Sequence, residues 1–211
     1  MTPKHMRSLF LIALVLLLSG CVRSTKVISE WHDEKGSINE RNRVAVVAMA
    51  PEALQRLTIE QDIVKVLRKA GSNALVSSDI PGMAGRLTRE AAEPALKAAS
   101  VQAVIVVFLT GAQKGAKLER ADYYAQLVGS GFYSGGYGWF EPQFTNVYTI
   151  VEGSGFYAQE TYVYVETTYF DIADDSPKWS MITQSKDIEM QDATLGVAKK
   201  IAARMKSTGT L

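Results

Sequence analysis

Hydrophobic positions along this chain fall into short runs separated by polar, charged or glycine-rich stretches, and the period within each run predicts an element. Arg43-Val44-Ala45-Val46-Val47-Ala48-Met49 is apolar, rich in β-branched residues and closed by Pro51, as a buried strand should be. Ile59, Ile63, Val66 and Ala70 follow at i, i+4, i+7 and i+11, on one helical face. Thr58 and Gln61 fit a capping box, which leaves the helix start between residues 52 and 58, and Arg68-Lys69 before Gly71 marks its end. Residues 74–78 (ALVSS) predict a second strand, and Thr88 caps a second helix running to about Ser100, with Pro94 deep enough to kink it. Val101 to Leu109 is the most hydrophobic run beyond residue 20 and predicts the central strand. Strands joined in this way by helices pair in parallel with right-handed crossovers.

Further along, residues 160–171 and 178–186 carry β-branched and aromatic residues in partial alternation, and Asp174-Asp175-Ser176-Pro177 turns between them, giving an antiparallel hairpin. Leu195, Ala198, Ala202 and Met205 fall at i, i+3, i+7 and i+10, a closing helix over 191–206. The expected fold is α/β: a mixed sheet in two or three layers, order β-α-β-α-β-β-β-α, with parallel first three strands and an antiparallel C-terminal hairpin, spanning residues 43–206. Val46, Ile63, Leu67, Val104 and Val106 are expected between sheet and helices.

The N-terminus has a different pattern. Lys4 and Arg7 precede the apolar run Leu9 to Leu18, which ends in Leu18-Ser19-Gly20-Cys21. The run is shorter than the ~20 residues a membrane-spanning helix needs. It resembles a bacterial lipoprotein signal peptide, with residues 18–21 as the lipobox. That resemblance implies removal of residues 1–20, acylation of Cys21 by chains such as palmitate, and anchoring in a lipid bilayer, each buried CH₂ contributing about 0.8 kcal/mol. Val22 stands where an aspartate would retain such a protein at the inner membrane, so the resemblance implies the periplasmic face of the outer membrane. Cys21 is the chain's only cysteine, so stability in an oxidising compartment falls to the hydrophobic core. Residues 22–42 are polar without a sustained period and read as a tether of up to roughly 70 Å, carrying Trp31 and His32.

Charge excludes one class of partner. The chain holds 23 basic and 22 acidic residues; removing Lys4 and Arg7 with the signal leaves a formal net charge of −1, which is not that of a nucleic-acid binder. Lys199, Lys200, Arg204 and Lys206 are expected to solvate the last helix and favour its macrodipole. The turn after the first strand, Met49-Ala50-Pro51-Glu52, builds no phosphate cradle, and residues 111–117 (GAQKGAK) lack the ending of a P-loop and read as a solvated loop. The only histidine after the signal is His32, in the tether, so no hydrolytic triad is expected. Asp171, Asp174 and Asp175 read as turn formers rather than a calcium loop. Glu160 and Glu166 are spaced as a carboxylate pair on one strand face, but solvated strand glutamates are the expected reading. No catalytic residue, metal or cofactor is expected.

Residues 119–157 hold 11 of the chain's 19 aromatics and repeat Gly-Ser-Gly-Phe-Tyr at 129–133 and 153–157. Glycine permits tight turns while tyrosine and tryptophan offer large amphipathic contact area, so Tyr133, Tyr137, Trp139 and Phe140 are the candidate partner-binding residues. The element order, with the segments RVAVVAM, IEQDIVKVLRKAG and AVIVVFL, resembles the mixed α/β domain of the N-terminal part of TolB, of peptidoglycan-synthase-activating lipoproteins and of the curli secretion lipoprotein. This resemblance implies an accessory or assembly protein without catalytic residues. The expected function is a non-enzymatic, lipid-anchored periplasmic protein that binds an envelope protein or polymer. Alternatives are an oligomeric secretion component inserting residues 119–157 into the membrane, or a small-ligand or polymer binder stacking its target on those aromatics.

Overall fold

The computed structural model describes residues 25–33, 43–50, 53–84, 89–114, 161–173, 175–186 and 190–211. Among them, six strands form one open mixed sheet: β1 (Thr25–His32), β2 (Val44–Met49), β3 (Ala74–Val76), β4 (Ala103–Lys114), β5 (Thr161–Asp171) and β6 (Ser176–Lys186), in the spatial order β1-β6-β5-β4-β2-β3. Three helices accompany it: α1 (Ala53–Lys69), α2 (Arg89–Ala98) and α3 (Met190–Thr208). β2 runs parallel to β3 and β4, while β4, β5, β6 and β1 pair antiparallel in succession.

The sheet has a core on each side. Val44, Val46, Ile105, Val107, Val163, Val165, Tyr169, Trp179 and Met181 pack against α1 and α3, with Ile63, Leu67, Val197, Ile201 and Met205 supplied by those helices. Ala45, Val47, Val104, Val106 and Phe170 face the other way, against Ala92, Ala95 and Leu96 of α2. The alternation follows from the two-residue period of a strand. All five expected core residues, Val46, Ile63, Leu67, Val104 and Val106, are buried.

Helix ends follow the sequence chemistry closely. After α1, Gly71 adopts φ +103°, its N–H bonds to Arg68 O at 3.1 Å and the Ser72 N–H to Leu67 O at 3.0 Å, a Schellman motif. Gly209 repeats the arrangement after α3, with φ +71° and a 2.8 Å bond from Thr210 N to Met205 O. After α2 the same left-handed position is taken by Ser100, at φ 53°.

Several expectations need correction. Residues 25–32, read as tether, form β1, hydrogen-bonded along β6; their period is weak because an edge strand with only Thr25 buried takes its register from its neighbour's backbone. The element order therefore gains a leading strand. Thr58 caps nothing: α1 starts at Ala53, and the Thr58 hydroxyl bonds back to Leu54 O at 2.9 Å. The buried stripe of α1 is Arg56, Glu60, Ile63, Val64 and Leu67, leaving Ile59 and Val66 half-buried and Ala70 exposed. β3 stops at Val76, because Ser77 and Ser78 turn into a 3₁₀ segment aimed at Glu60. β4 continues past Leu109 through an irregularity to Lys114, so part of the expected glycine loop is strand.

Candidate functional site

In an open α/β sheet, ligands bind outside the carboxyl ends of the strands where the strand order reverses. Here the order reverses between β2 and β4; beside that point, at the carboxyl ends of β2 and β3, lies an internal ion pair. Glu60 Oε1 accepts from Arg56 Nε at 2.9 Å, Ser77 Oγ at 2.7 Å and Ala48 N at 3.1 Å, while Oε2 accepts from Ser78 N at 2.9 Å and Ser78 Oγ at 2.7 Å. Arg56 Nη2 donates to Ser77 Oγ and to Met83 O, both at 2.9 Å. Five donors saturate a carboxylate with about four lone-pair sites, so Glu60 has no capacity left for a ligand. The cluster ties α1 to the ends of β2 and β3, and its role is architectural.

Sequence reasoning missed this pair, although a signal was present. Arg56 and Glu60 stand at i, i+4 in line with Ile63 and Leu67 at i+7 and i+11, so a charged pair occupies the stripe that faces the core.

The stronger candidate is the sheet face opposite α1 and α3 and beyond α2, built by β4, β5 and β6. Tyr162, Tyr164, Glu166 and Thr168 share one side of β5 by the strand period. Across the sheet, Glu166 is flanked by Phe108 and Ile182, Tyr164 by Gln184, Thr168 by Ser180, and Tyr162 by Lys186. Gln184 Nε2 donates to Tyr164 Oη at 2.7 Å, the rings of Tyr162 and Tyr164 lie 6.4 Å apart, and Lys186 Nζ stands 5.9 Å from the Tyr162 ring centre.

Glu166 is the chemically distinctive member. It is only 6% exposed, and among the described residues its carboxyl makes no hydrogen bond or ion pair. Burial without a charge partner disfavours the carboxylate, pushing its pKa up from 4.5 to about 7. The expected solvated glutamate is thus a buried one that holds its proton to near-neutral pH. Its partner in the proposed carboxylate pair, Glu160, lies outside the described residues. Tyr164, Thr168, Ser180 and Ile182 around it are buried as well, so only the end of the face, at Tyr162, Gln184 and Lys186, reaches solvent and is suited to hydrogen-bonded and stacked recognition.

This face ends where the glycine and aromatic insertion departs and returns, since Lys114 pairs with Thr161. The insertion 119–157, with Tyr133, Tyr137, Trp139 and Phe140, lies outside the described residues, as does Cys21. Among the other residues singled out, Asp171 Oδ1 accepts from Ala173 N at 2.8 Å and so closes a turn. Arg204 does more than favour a dipole: its Nη1 stands 3.4 Å from Glu30 Oε2 and its Nη2 donates to Trp31 O at 3.5 Å, tying α3 to β1. Trp31 and His32 are exposed on β1. Among the described residues no three His, Cys, Asp or Glu side chains stand together as a metal site, and no helix is long and apolar enough to cross a membrane.

No protein-family model matches the chain, and no curated protein is significantly similar to it. Among solved structures, a PelC dodecamer from Paraburkholderia phytofirmans aligns with 87% of this chain and 98% of its own, at 11% identity and a TM-score of 0.43. A point variant of that dodecamer aligns with 87% of this chain and 99% of its own, at 10% identity and a TM-score of 0.42. These are not the TolB-type, synthase-activator or curli domains to which the element order was likened, and the likeness is too low to carry a functional argument.

Proposed function

We propose that this protein is a non-enzymatic accessory lipoprotein, anchored through acylated Cys21 to the periplasmic face of the outer membrane, which binds an envelope protein or polymer. The observation that carries this reading is the lipobox-like Leu18-Ser19-Gly20-Cys21 at the end of a signal-like apolar run, only four residues ahead of the folded sheet at Thr25. The recognition surface is the insertion 119–157 together with Tyr162, Gln184 and Lys186, the members of the β4–β6 face that reach solvent. The two ionisable groups that a catalytic reading would use first do not support catalysis. Glu60 is saturated by internal donors, and Glu166 is hydrogen-bonded to no hydroxyl and paired with no second acid among the described residues.

The test is affinity capture from detergent-solubilised envelope, comparing wild type with a Tyr133→Ser, Tyr137→Ser, Trp139→Ser variant. The reading predicts a partner retained by wild type and lost by the variant, with little change in the denaturation midpoint, as for exposed recognition residues. A stability loss of several kcal/mol, at about 3–5 kcal/mol per buried aromatic, would make the insertion structural and remove it from the recognition surface.

A further inference from the structure

We propose that the β1 edge of the sheet lies on the lipid bilayer, with Val27, Ile28 and Trp31 seated in the headgroup interface. The inference rests on the acylation of Cys21 proposed above and adds to it an orientation and a second contact.

Exposed large hydrophobic side chains are few among the described residues: Val27 at 36%, Ile28 at 41%, Trp31 at 40% and Leu54 at 74%. Three of these four fall within five residues of one edge strand, Val27 on its α3 side, Trp31 on the opposite side and Ile28 at the irregularity between them, so they flank the edge from both faces. Isolated exposed apolar residues are ordinary, but a cluster on an edge marks a contact surface.

Covalent geometry limits what that surface can meet. Cys21 precedes Thr25 by four residues, and an extended chain covers at most 3.3–3.6 Å per residue, so the two lie within about 14 Å of each other. Thr25 is itself held to the domain. Its hydroxyl bonds to Ser185 Oγ at 2.8 Å, and it approaches α3 so closely that a Cβ on Gly196 would overlap its Oγ1 and lie 2.7 Å from its Cβ. The domain thus cannot stand off on the tether of up to roughly 70 Å expected from residues 22–42, because the sheet starts inside that stretch. With its acyl chains in the bilayer, Cys21 holds the start of β1 at the headgroups.

The side chains suit that position. Tryptophan concentrates at membrane–water interfaces, and a lysine such as Lys26 can lay its alkyl stem along the surface while its ammonium stays hydrated. Depth is limited as well. An edge strand carries unpaired backbone N–H and C=O groups, which cannot enter hydrocarbon but are satisfied among headgroups and water. The competing occupant, a strand from a second copy, is disfavoured on the same edge. The β1 register is interrupted between Val27 and Ser29, and Glu30 is engaged by Arg204, both devices that discourage strand pairing.

Because Cys21 is the only cysteine and its sulfur is blocked once acylated, a single introduced thiol can be labelled selectively. Ile28→Cys and, as the distant control, Lys97→Cys on the exposed side of α2 would each carry a bimane fluorophore. The acylated proteins are then bound to phosphatidylethanolamine–phosphatidylglycerol vesicles containing a shallow doxyl-lipid quencher. The expected result is quenching severalfold stronger at position 28 than at 97, with Val27→Cys behaving like Ile28→Cys. Equal quenching at 28 and 97 in protein shown by mass to be acylated, and sedimenting with the vesicles, would overturn the orientation while leaving the anchor intact. Self-quenching at 28 that rises with protein density, without lipid quenching, would assign the edge to a second copy and overturn the proposal. Absence of acyl mass would remove the anchor, and the orientation with it.

Discussion

Replacing Glu166 by glutamine should stabilise the protein above neutral pH and leave it nearly unchanged in mild acid. In the folded chain the carboxyl sits between Phe108 and Ile182 without an ionic or hydrogen-bonding partner among the described residues, and its pKa rises from 4.5 to about 7 because burial penalises the charge. The other titratable side chains on that face among the described residues are Tyr164 and Tyr162, two and four residues along β5, with Lys186 opposite Tyr162 and Lys26 opposite Gln184. The sign follows from linkage. Below pH 4.5 both folded and unfolded chains hold the proton and nothing is lost. Between 4.5 and 7 the unfolded chain releases the proton first, so stability falls as pH rises; above 7 the loss is complete. One pKa unit corresponds to about 1.4 kcal/mol, so the rise amounts to roughly 3 kcal/mol. That is a large fraction of the ~5–15 kcal/mol by which a whole domain is stable. Urea unfolding of wild type and Glu166→Gln at pH 4.5, 6 and 8 should give curves that nearly coincide at 4.5 and separate by about 3 kcal/mol at 8. A separation independent of pH, or a wild type whose stability relative to the variant is flat across this window, would refute the buried, unpaired state of Glu166.

Other substitutions test the frame around that face. Arg56→Met should cost about 3–5 kcal/mol by leaving the Glu60 charge buried and unpaired, whereas Arg56→Met with Glu60→Met should recover much of the loss; chemical denaturation of the single and double variants measures both. Gly196→Ala, which in an unconstrained helix would stabilise by about 0.5–1 kcal/mol, should here destabilise and expose the β1 amides to hydrogen exchange, and Thr25→Gly should relieve it. Ser100→Gly should raise the thermal midpoint, since the left-handed backbone there costs a non-glycine residue about 1 kcal/mol.

The elements whose residues face a packed layer were the ones legible in the sequence. β2 and the first part of β4 are buried on both faces and appear as unbroken apolar runs, and the end of α1 was marked by Gly71, whose positive φ the Schellman motif requires. β1 was not legible, because an edge strand exposing nearly every side chain leaves no hydrophobic period to read. The Arg56–Glu60 pair was hidden by the assumption that charged residues mark the solvent side of a helix; the true stripe includes them because Ser77, Ser78 and two backbone groups meet their hydrogen-bonding needs. Glu166 was hidden for the opposite reason. Its alternation with Tyr164 and Thr168 resembles the wet face of an antiparallel strand, and only the cross-strand neighbours Phe108 and Ile182 show that it is dry.

The central claim is the anchor at Cys21, and intact-mass measurement of the chain recovered from separated inner-membrane, outer-membrane and soluble fractions tests it most directly. The account predicts a mature chain beginning at Cys21, carrying the mass of its acyl chains and found with the outer membrane, and a Cys21→Ala variant that bears no acyl mass and leaves that fraction. A wild-type chain without acyl mass, or a Cys21→Ala variant distributed like wild type, would contradict it.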